Sequence, residues 1–548
     1  MSSLLLLTIF LPLAGALAIF ALANVGRDLP RKIALGVSIA TFILAVRLAA
    51  AYTFDPAGFA VTDLAWVGSA ESGIDVRFSF GLDGLSLWLF ALSALLSITA
   101  VLVSWEAITD NRAGFFALLL LLETGMLGVF TARDIILFYV FFEFTLIPLF
   151  FLIGVWGSED RRHAAIKFFL YTFAGSVLTF LGLLSIVLWA YYHDGGRLTF
   201  SIPQLQQQIA SHPVSPAVQL WIFVALFAGF AIKVPLFPLH TWLPLAHVQA
   251  PTAGSVLLAG VLLKIGGYGF VRFSLTLLPD ASAVALPYVL WLAVAGILYG
   301  ALVALAQTDI KKLIAYSSVS HLGFCMLGFF ALNRLGMQGG VLQLINHGLS
   351  TGGLFAVVGM LYERYHTREI KQLGGLARRT PLLALAMLLF TFSSIGLPGL
   401  NGFAGEFLLL AGMFQRGFGE AVPAAWAWQL HAISVLAVLG VVLGAWYMLW
   451  LVQRTFFGPL KEPSHGHPIR DLSPREIFAL APLVLLMVWI GLQPRFFLDR
   501  MAPTVDPIVD VAASHYAEQS STARAAPPAH ASPLRVALEQ DLPQEARP

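Results

Sequence analysis

Fourteen apolar runs of membrane-spanning length, joined by short charged or Gly/Pro-containing connections, leave this chain little choice of architecture. The first half holds runs near residues 3–23, 33–53, 84–104, 113–132, 135–155, 168–192 and 218–239. The second half holds 252–275, 284–306, 312–332, 339–362, 380–414, 431–453 and 477–497. A helix of about 20 apolar residues crosses the hydrocarbon core, and lipid admits only structures that satisfy every backbone group internally. The expectation is an all-α polytopic membrane protein with about 14 transmembrane helices. Composition agrees: 11% of the 548 residues are charged, against about 25% in soluble domains. The first run has no Lys or Arg before it and is long enough to span, so it reads as a retained helix rather than a cleaved signal.

Two runs carry breaks. Pro235 and Pro238 interrupt the seventh directly after Lys233, because proline removes a backbone donor and clashes with the preceding turn. The 380–414 run is too long for one straight crossing, and Ser394-Ile-Gly-Leu-Pro-Gly399 explains the excess as a break in helix 12. Backbone broken at membrane depth survives only beside protein or a water-filled cavity. The two breaks suggest two inverted five-helix repeats, helices 4–8 and 9–13, the signature of a transporter fold. The organisation expected is 1–112 (helices 1–3), 113–275 (first repeat), 276–457 (second repeat), 458–503 (helix 14) and 504–548. That last segment is Ala/Pro/Ser-rich and reads as a disordered tail that adds no helix. With the N-terminus outside, inside loops hold eighteen Lys and Arg, and outside loops only Arg77, Arg133, Arg197, Arg272, Arg334 and Arg416. The positive-inside rule then places both termini on the periplasmic side of a bacterial inner membrane.

Ionisable residues inside such runs are costly and mark function by default. Glu143, Lys264, His321 and His347 each lie eight or nine residues inside their helices, roughly 12–13 Å deep at 1.5 Å per residue. Lys233 and Glu406 flank the breaks, and Glu123 sits in the middle of helix 4. The types suit proton transfer. Desolvated lysine gives up its proton more readily than lysine in water, carboxylates and lysines switch one another, and neutral histidines relay through two nitrogens. The pattern reads as a lateral proton wire, with Glu123, and His240 and His247 in the re-entry after Lys233, as possible auxiliaries. Structural roles are the reading for Asp83, Asp134 and Asp309, which cap helix starts. Trp105, Trp156 and Trp242 read as interfacial anchors. One cysteine, Cys325, excludes a disulfide framework and cysteine-held clusters, and no phosphate-binding loop follows a strand. No cofactor and no metal are therefore expected in this chain. A net charge of +2 offers nothing to nucleic acid.

These residues also resemble a known family. KVPLFPLHTWLPLAHVQAPTAGSVLLAGVLLKIGGYG looks like the signature of the antiporter-like, proton-translocating subunits of respiratory complex I, the NADH:quinone oxidoreductase. The segments around Glu143, His321 and Glu406 resemble the same family, and glutamate rather than lysine at 406 is most similar to its subunit M, or chain-four, type. Leu245 departs from relatives that often have Asp before Ala-His, which removes any acidic role for that loop. The resemblance implies a membrane-arm subunit of a translocase that moves protons while sister chains bind NADH and quinone. Its partners would be the other membrane-arm subunits, sister antiporter-like chains among them, and lipid. Glu143 and Lys233 look like the family's coupling pair, Lys264 like its central relay, and His321 and His347 like the path to Glu406. A subunit of a multisubunit sodium/proton antiporter, or of a hydrogenase-linked membrane arm, is the alternative.

Overall fold

The computed structural model describes residues 1–69, 73–193, 196–419, 424–463 and 469–525. The chain opens with α1 (Ser2–Ala21) and α2 (Leu29–Ala51), and a hairpin of β1 (Phe59–Ser69) and β2 (Ile74–Leu82) follows. Next come α3 (Leu87–Val103), α4 (Arg112–Thr131), α5 (Ile135–Phe144), α6 (Leu146–Trp156) and α7 (Arg161–His193). A short β3 (Leu198–Thr199) and α8 (Ile202–Ser211) lead into α9 (Pro216–Lys233), α10 (Trp242–Gln249), α11 (Thr252–Leu257) and α12 (Leu263–Gly269). The rest is α13 (Pro279–Leu305), α14 (Ile310–Phe330), α15 (Arg334–Tyr365), α16 (Pro381–Ser394), α17 (Asn401–Phe418), α18 (Ala424–Phe456), α19 (Pro474–Leu492) and α20 (Arg495–Ala525). Among the described residues, twelve helical stretches are long and apolar enough to cross a membrane, with α3 and α16 shorter apolar helices beside them. The protein is a multi-pass, helical membrane protein, as its sequence implied. Thr252–Leu275 and α15 are buried along their whole apolar lengths and α14 nearly so, which makes these three the centre of the bundle.

Both expected breaks are present. Pro235 cannot serve the Ala231 carbonyl, which accepts from Leu236 N at 2.8 Å instead. The Ile232 carbonyl, left over by that shift, takes the indole N–H of Trp242 at 3.0 Å. Trp242 is therefore not the interfacial anchor expected of it. It is 1% exposed, packed on Phe168, and bonded to the backbone that the break sets free. At the second break, Gly396 (φ +72°) and Gly399 (φ +91°) adopt left-handed backbone between α16 and α17. A clamp satisfies the opened chain. Asn346 Nδ2 donates to the Asn401 carbonyl (2.7 Å), Asn401 Nδ2 to the Asn346 carbonyl (3.3 Å), and Ser393 Oγ to Asn401 Oδ1 (2.6 Å).

Three irregularities were not foreseen. Pro148 has no N–H for the Phe144 carbonyl, and the helix is interrupted at Thr145 between α5 and α6, two residues past Glu143. π-helical turns at Leu258–Leu262 and Phe270–Leu275 bracket α12, and such turns widen the hydrogen-bonded ring by one residue. The hairpin adds a small sheet to an otherwise helical protein, with β1 and β2 antiparallel and β2 beside β3 in parallel. Asp75 fastens it, holding Arg197 at 2.7 Å and Arg77 at 3.3 Å.

The segment after Thr504 corrects the sequence reading. As far as Ala525 it is helical, and 526–548 lie outside the described residues. Charged and polar residues are scattered through it, but Met501, Val505, Val509, Ala512 and Tyr516 form one buried stripe at helical spacing. Polar pairs hold it to the hairpin face: Arg334–Asp510 (2.6 Å), Gln338–Asp506 (2.7 Å), His515–Asp280 (2.7 Å) and Gly84 N to Thr504 Oγ1 (2.9 Å). The scattered polar residues hid a narrow apolar face that long-range packing completes.

Asp83, Asp134 and Asp309 accept from backbone N–H groups at helix starts, as expected of caps. Asp83 also forms an ion pair with Arg272 across the bundle. Burial would raise its carboxyl, and the guanidinium outweighs that, holding Asp83 below its ordinary range. Both side chains retain some exposure, 23% and 13%. Asp83→Ala is therefore expected to cost about 2 kcal/mol, less than the roughly 3–5 kcal/mol of a fully buried pair. Thermal unfolding of the purified protein measures it. A lowered carboxylate value makes this contribution full above about pH 4 and lost as the pH falls through the lowered value.

Candidate functional site

The π turn at Leu258–Leu262 presents Lys264 to the interior. Its ammonium donates to the Ala259 carbonyl five residues back and, at 2.6 Å, to Nδ1 of His347 on α15. Lys264 is 0% exposed. Gly348, next to His347, permits this approach, since a Cβ there would stand 2.6 Å from the Gly260 carbonyl. A charged Lys264 requires Nδ1 to accept, which puts the proton of the neutral ring on Nε2. That Nε2 is buried without a protein partner.

The His321 ring lies 5.7 Å from the His347 ring, centroid to centroid. His321 Nδ1 meets Glu406 Oε1 at 3.3 Å, while its Nε2 faces Ser394 Oγ at 3.1 Å and Tyr447 Oη at 3.4 Å. Glu406 Oε1 also accepts from Gln343 Nε2 at 3.0 Å. A Cβ at Gly396 would stand 2.8 Å from Glu406 Oε2, so the second break and its carboxylate share one space. The structure thus draws Lys264, His347, His321 and Glu406 into one buried line across α12, α15, α14 and α17.

The other candidates stand apart from that line. Lys233 ends α9 with its ammonium 4.7 Å from the centre of the Phe142 ring, a cation–π contact. It is within electrostatic reach of Glu143, yet among the described residues the two form no direct ion pair. Glu143 Oε1 is buried without a hydrogen-bond partner. Gly266 of α12 lies against Lys233, where a Cβ would be 2.9 Å from that of the lysine, so the first break packs directly on the Lys264 helix. His247 stacks on Phe355 at 4.4 Å with both ring nitrogens unpartnered, and His240 packs between Phe237 and Tyr299. Glu123 faces α2 and accepts from Ser38 at 2.8 Å.

Sequence reasoning missed Gln343, Ser394 and Tyr447, whose polar groups hold Glu406 and His321. It also missed Lys311, read as an inside-loop charge. Lys311 is 5% exposed and donates to the Ala250 carbonyl at 2.8 Å. The Lys311-Lys312 doublet carried no mark of which member turns inward.

A helical membrane bundle with two broken helices around a buried lysine, two histidines and a carboxylate is the architecture of an antiporter-like membrane protein. The chain belongs to the NADH:quinone oxidoreductase/Mrp antiporter transmembrane family, which it matches over residues 132–444. It is 41% identical to NADH-quinone oxidoreductase subunit M of Rhodobacter capsulatus over 96% of this chain and 99% of that one. Chain 4 of NADH-ubiquinone oxidoreductase from Chondrus crispus is 40% identical over 91% of this chain and 96% of its own. Among solved structures, a chain of respiratory complex I from Thermus thermophilus with bound NADH superposes with a TM-score of 0.80 and 34% identity. That match covers 93% of this chain and 99% of the other.

Proposed function

We propose that this chain is a proton-translocating membrane-arm subunit of an NADH:quinone oxidoreductase, of the subunit M type, working beside sister antiporter-like chains. The observation that carries the reading is the buried line from Lys264 through His347 and His321 to Glu406. Lysine and imidazole are in direct contact, imidazole and carboxylate are nearly so, and the step between the two rings is short enough for one water to bridge. Near-complete coverage by subunit M and chain 4 relatives favours this over a stand-alone sodium/proton antiporter or a hydrogenase-linked arm. Co-purified NADH- and quinone-linked subunits separate the first from the others.

Fourteen crossings follow if α5–α6, Thr252–Leu275 and α16–α17 each count as one, with α3 completing the set. In this reading helices 4–8 and 9–13 are inverted repeats whose broken members carry Lys233 and Glu406. The hairpin face, with the start of α1 and with α20, is periplasmic, in keeping with the arginine and lysine distribution. No redox centre is assigned to this chain; electrons pass elsewhere and the proton moves here. Lys233 and Glu143 act at one remove, their fields setting how readily Lys264 holds its proton.

His347→Phe tests the route, because phenylalanine keeps the ring volume and removes both nitrogens. NADH-driven proton uptake by inside-out vesicles containing the assembled complex is expected to fall by about 10²-fold at the step through this subunit. Wild-type pumping in that variant would remove the line from the route.

A further inference from the structure

Glu123 is an intramembrane acid that belongs neither to this line nor to the Glu143–Lys233 pair. It is 0% exposed on α4; one carboxyl oxygen accepts from Ser38 of α2 at 2.8 Å, and the other, Oε1, has no partner. α5 packs on another part of α4, where Cβ atoms at Gly125 and Gly128 would meet Thr145 and Phe141. Glu123 instead faces α2 and α1.

A second hydroxyl lies close by along α2. Thr41 is three residues beyond Ser38 on the same side of the helix, 0% exposed, with its hydroxyl unpartnered. α1 closes the site from the third side: a Cβ at Gly15 would touch Val37 of α2 at 2.8 Å and Leu120 of α4 at 3.0 Å. From that crossing Ser38, Thr41 and Glu123 all lie toward the hairpin face, because α2 and α4 run towards it. Among the described residues no basic side chain pairs with the carboxyl. α1 and α3 contain no titratable residue, α4 adds only Arg112 at its start, and α2 has Arg31, Lys32 and Arg47. Arg31 is seven residues from Ser38, roughly 10 Å along the axis, and is paired with Asp28 at 2.9 Å.

A carboxylate without counter-charge in an apolar interior is unfavourable, and hydroxyl and carbonyl oxygens are hard donors suited to a small cation. The geometry points to a binding site for one small monovalent cation, a proton or a sodium ion, on Glu123 between α1, α2 and α4, separate from the Lys264 line. Ser38 holds one carboxyl oxygen in place, and Thr41 serves the cation on the other.

The test uses the purified, assembled complex and reads intrinsic-fluorescence unfolding, which does not depend on the reaction catalysed. Sodium chloride is titrated against choline chloride at constant ionic strength. For sodium, unfolding temperature rises saturably, and Thr41→Val raises the half-saturating concentration by about tenfold or more. For a proton, sodium has no effect, and infrared difference spectra on deuterium exchange contain a protonated-carboxyl band that Glu123→Gln removes. Ser38→Ala keeps the carboxyl and shifts that band, which guards against loss of structure in the glutamine variant. Either pattern establishes the cation on Glu123 and tells which one it is. No sodium response together with no carboxyl band from Glu123 overturns the site.

Discussion

Replacing Lys264 by methionine is expected to abolish proton movement through this subunit while leaving the bundle assembled. Methionine fills nearly the volume of the lysine stem, so the packing against Gly348 survives and only the ammonium goes. Two contacts go with it, to the Ala259 carbonyl and to His347 Nδ1. A positioned proton carrier contributes about 10²–10⁴-fold, so transfer across this step should fall by at least 10²-fold. The discriminating measurement is the number of protons pumped per NADH oxidised in reconstituted vesicles. Unchanged pumping in Lys264→Met would refute the central role. A variant that fails to assemble is recognised by native electrophoresis and replaced by Lys264→Gln.

The second large effect is expected at Glu406. In Glu406→Gln the amide keeps size and accepts through one oxygen, so the Gln343 contact survives in part. What disappears is an acid that can take a proton from His321 Nδ1, 3.3 Å away. Pumping should again fall by about 10²-fold or more, and Glu406→Asp should restore only part of it because the shorter carboxylate draws back from His321. If the glutamine variant pumps normally while Lys264→Met does not, protons leave the line before Glu406.

Much of this was legible in the chain because lipid enforces strict rules. Run lengths gave the helices, and prolines 235, 238 and 398 gave the breaks, since a missing N–H acts locally. The buried ionisable residues stood out against an apolar background, and four of them do converge. The relation of Glu143 to Lys233 was not legible. Phe142, one residue away, takes the ammonium on its ring, a choice that depends on how α5 and α9 approach. α20 escaped notice because its stripe of Met501, Val505 and Val509 finds its partners on distant elements, Met501 lying against Gly84 near the start of α3. The tryptophan at 242 misled for a similar reason: its duty is to a carbonyl that only the folded break makes available.

The two π turns flanking α12 give this short segment its own rotational setting. Each wide turn takes in one extra residue, so α12 is out of phase with the helix on either side by about 100° per turn. The segment is a stub shaft held between two slip joints. If the extra residue passed from one joint to the other, Lys264 would swing away from His347 by about that angle while the helix ends stayed where they are. A residue-sized slip of backbone register, with no movement of whole helices, is therefore enough to connect or disconnect the lysine.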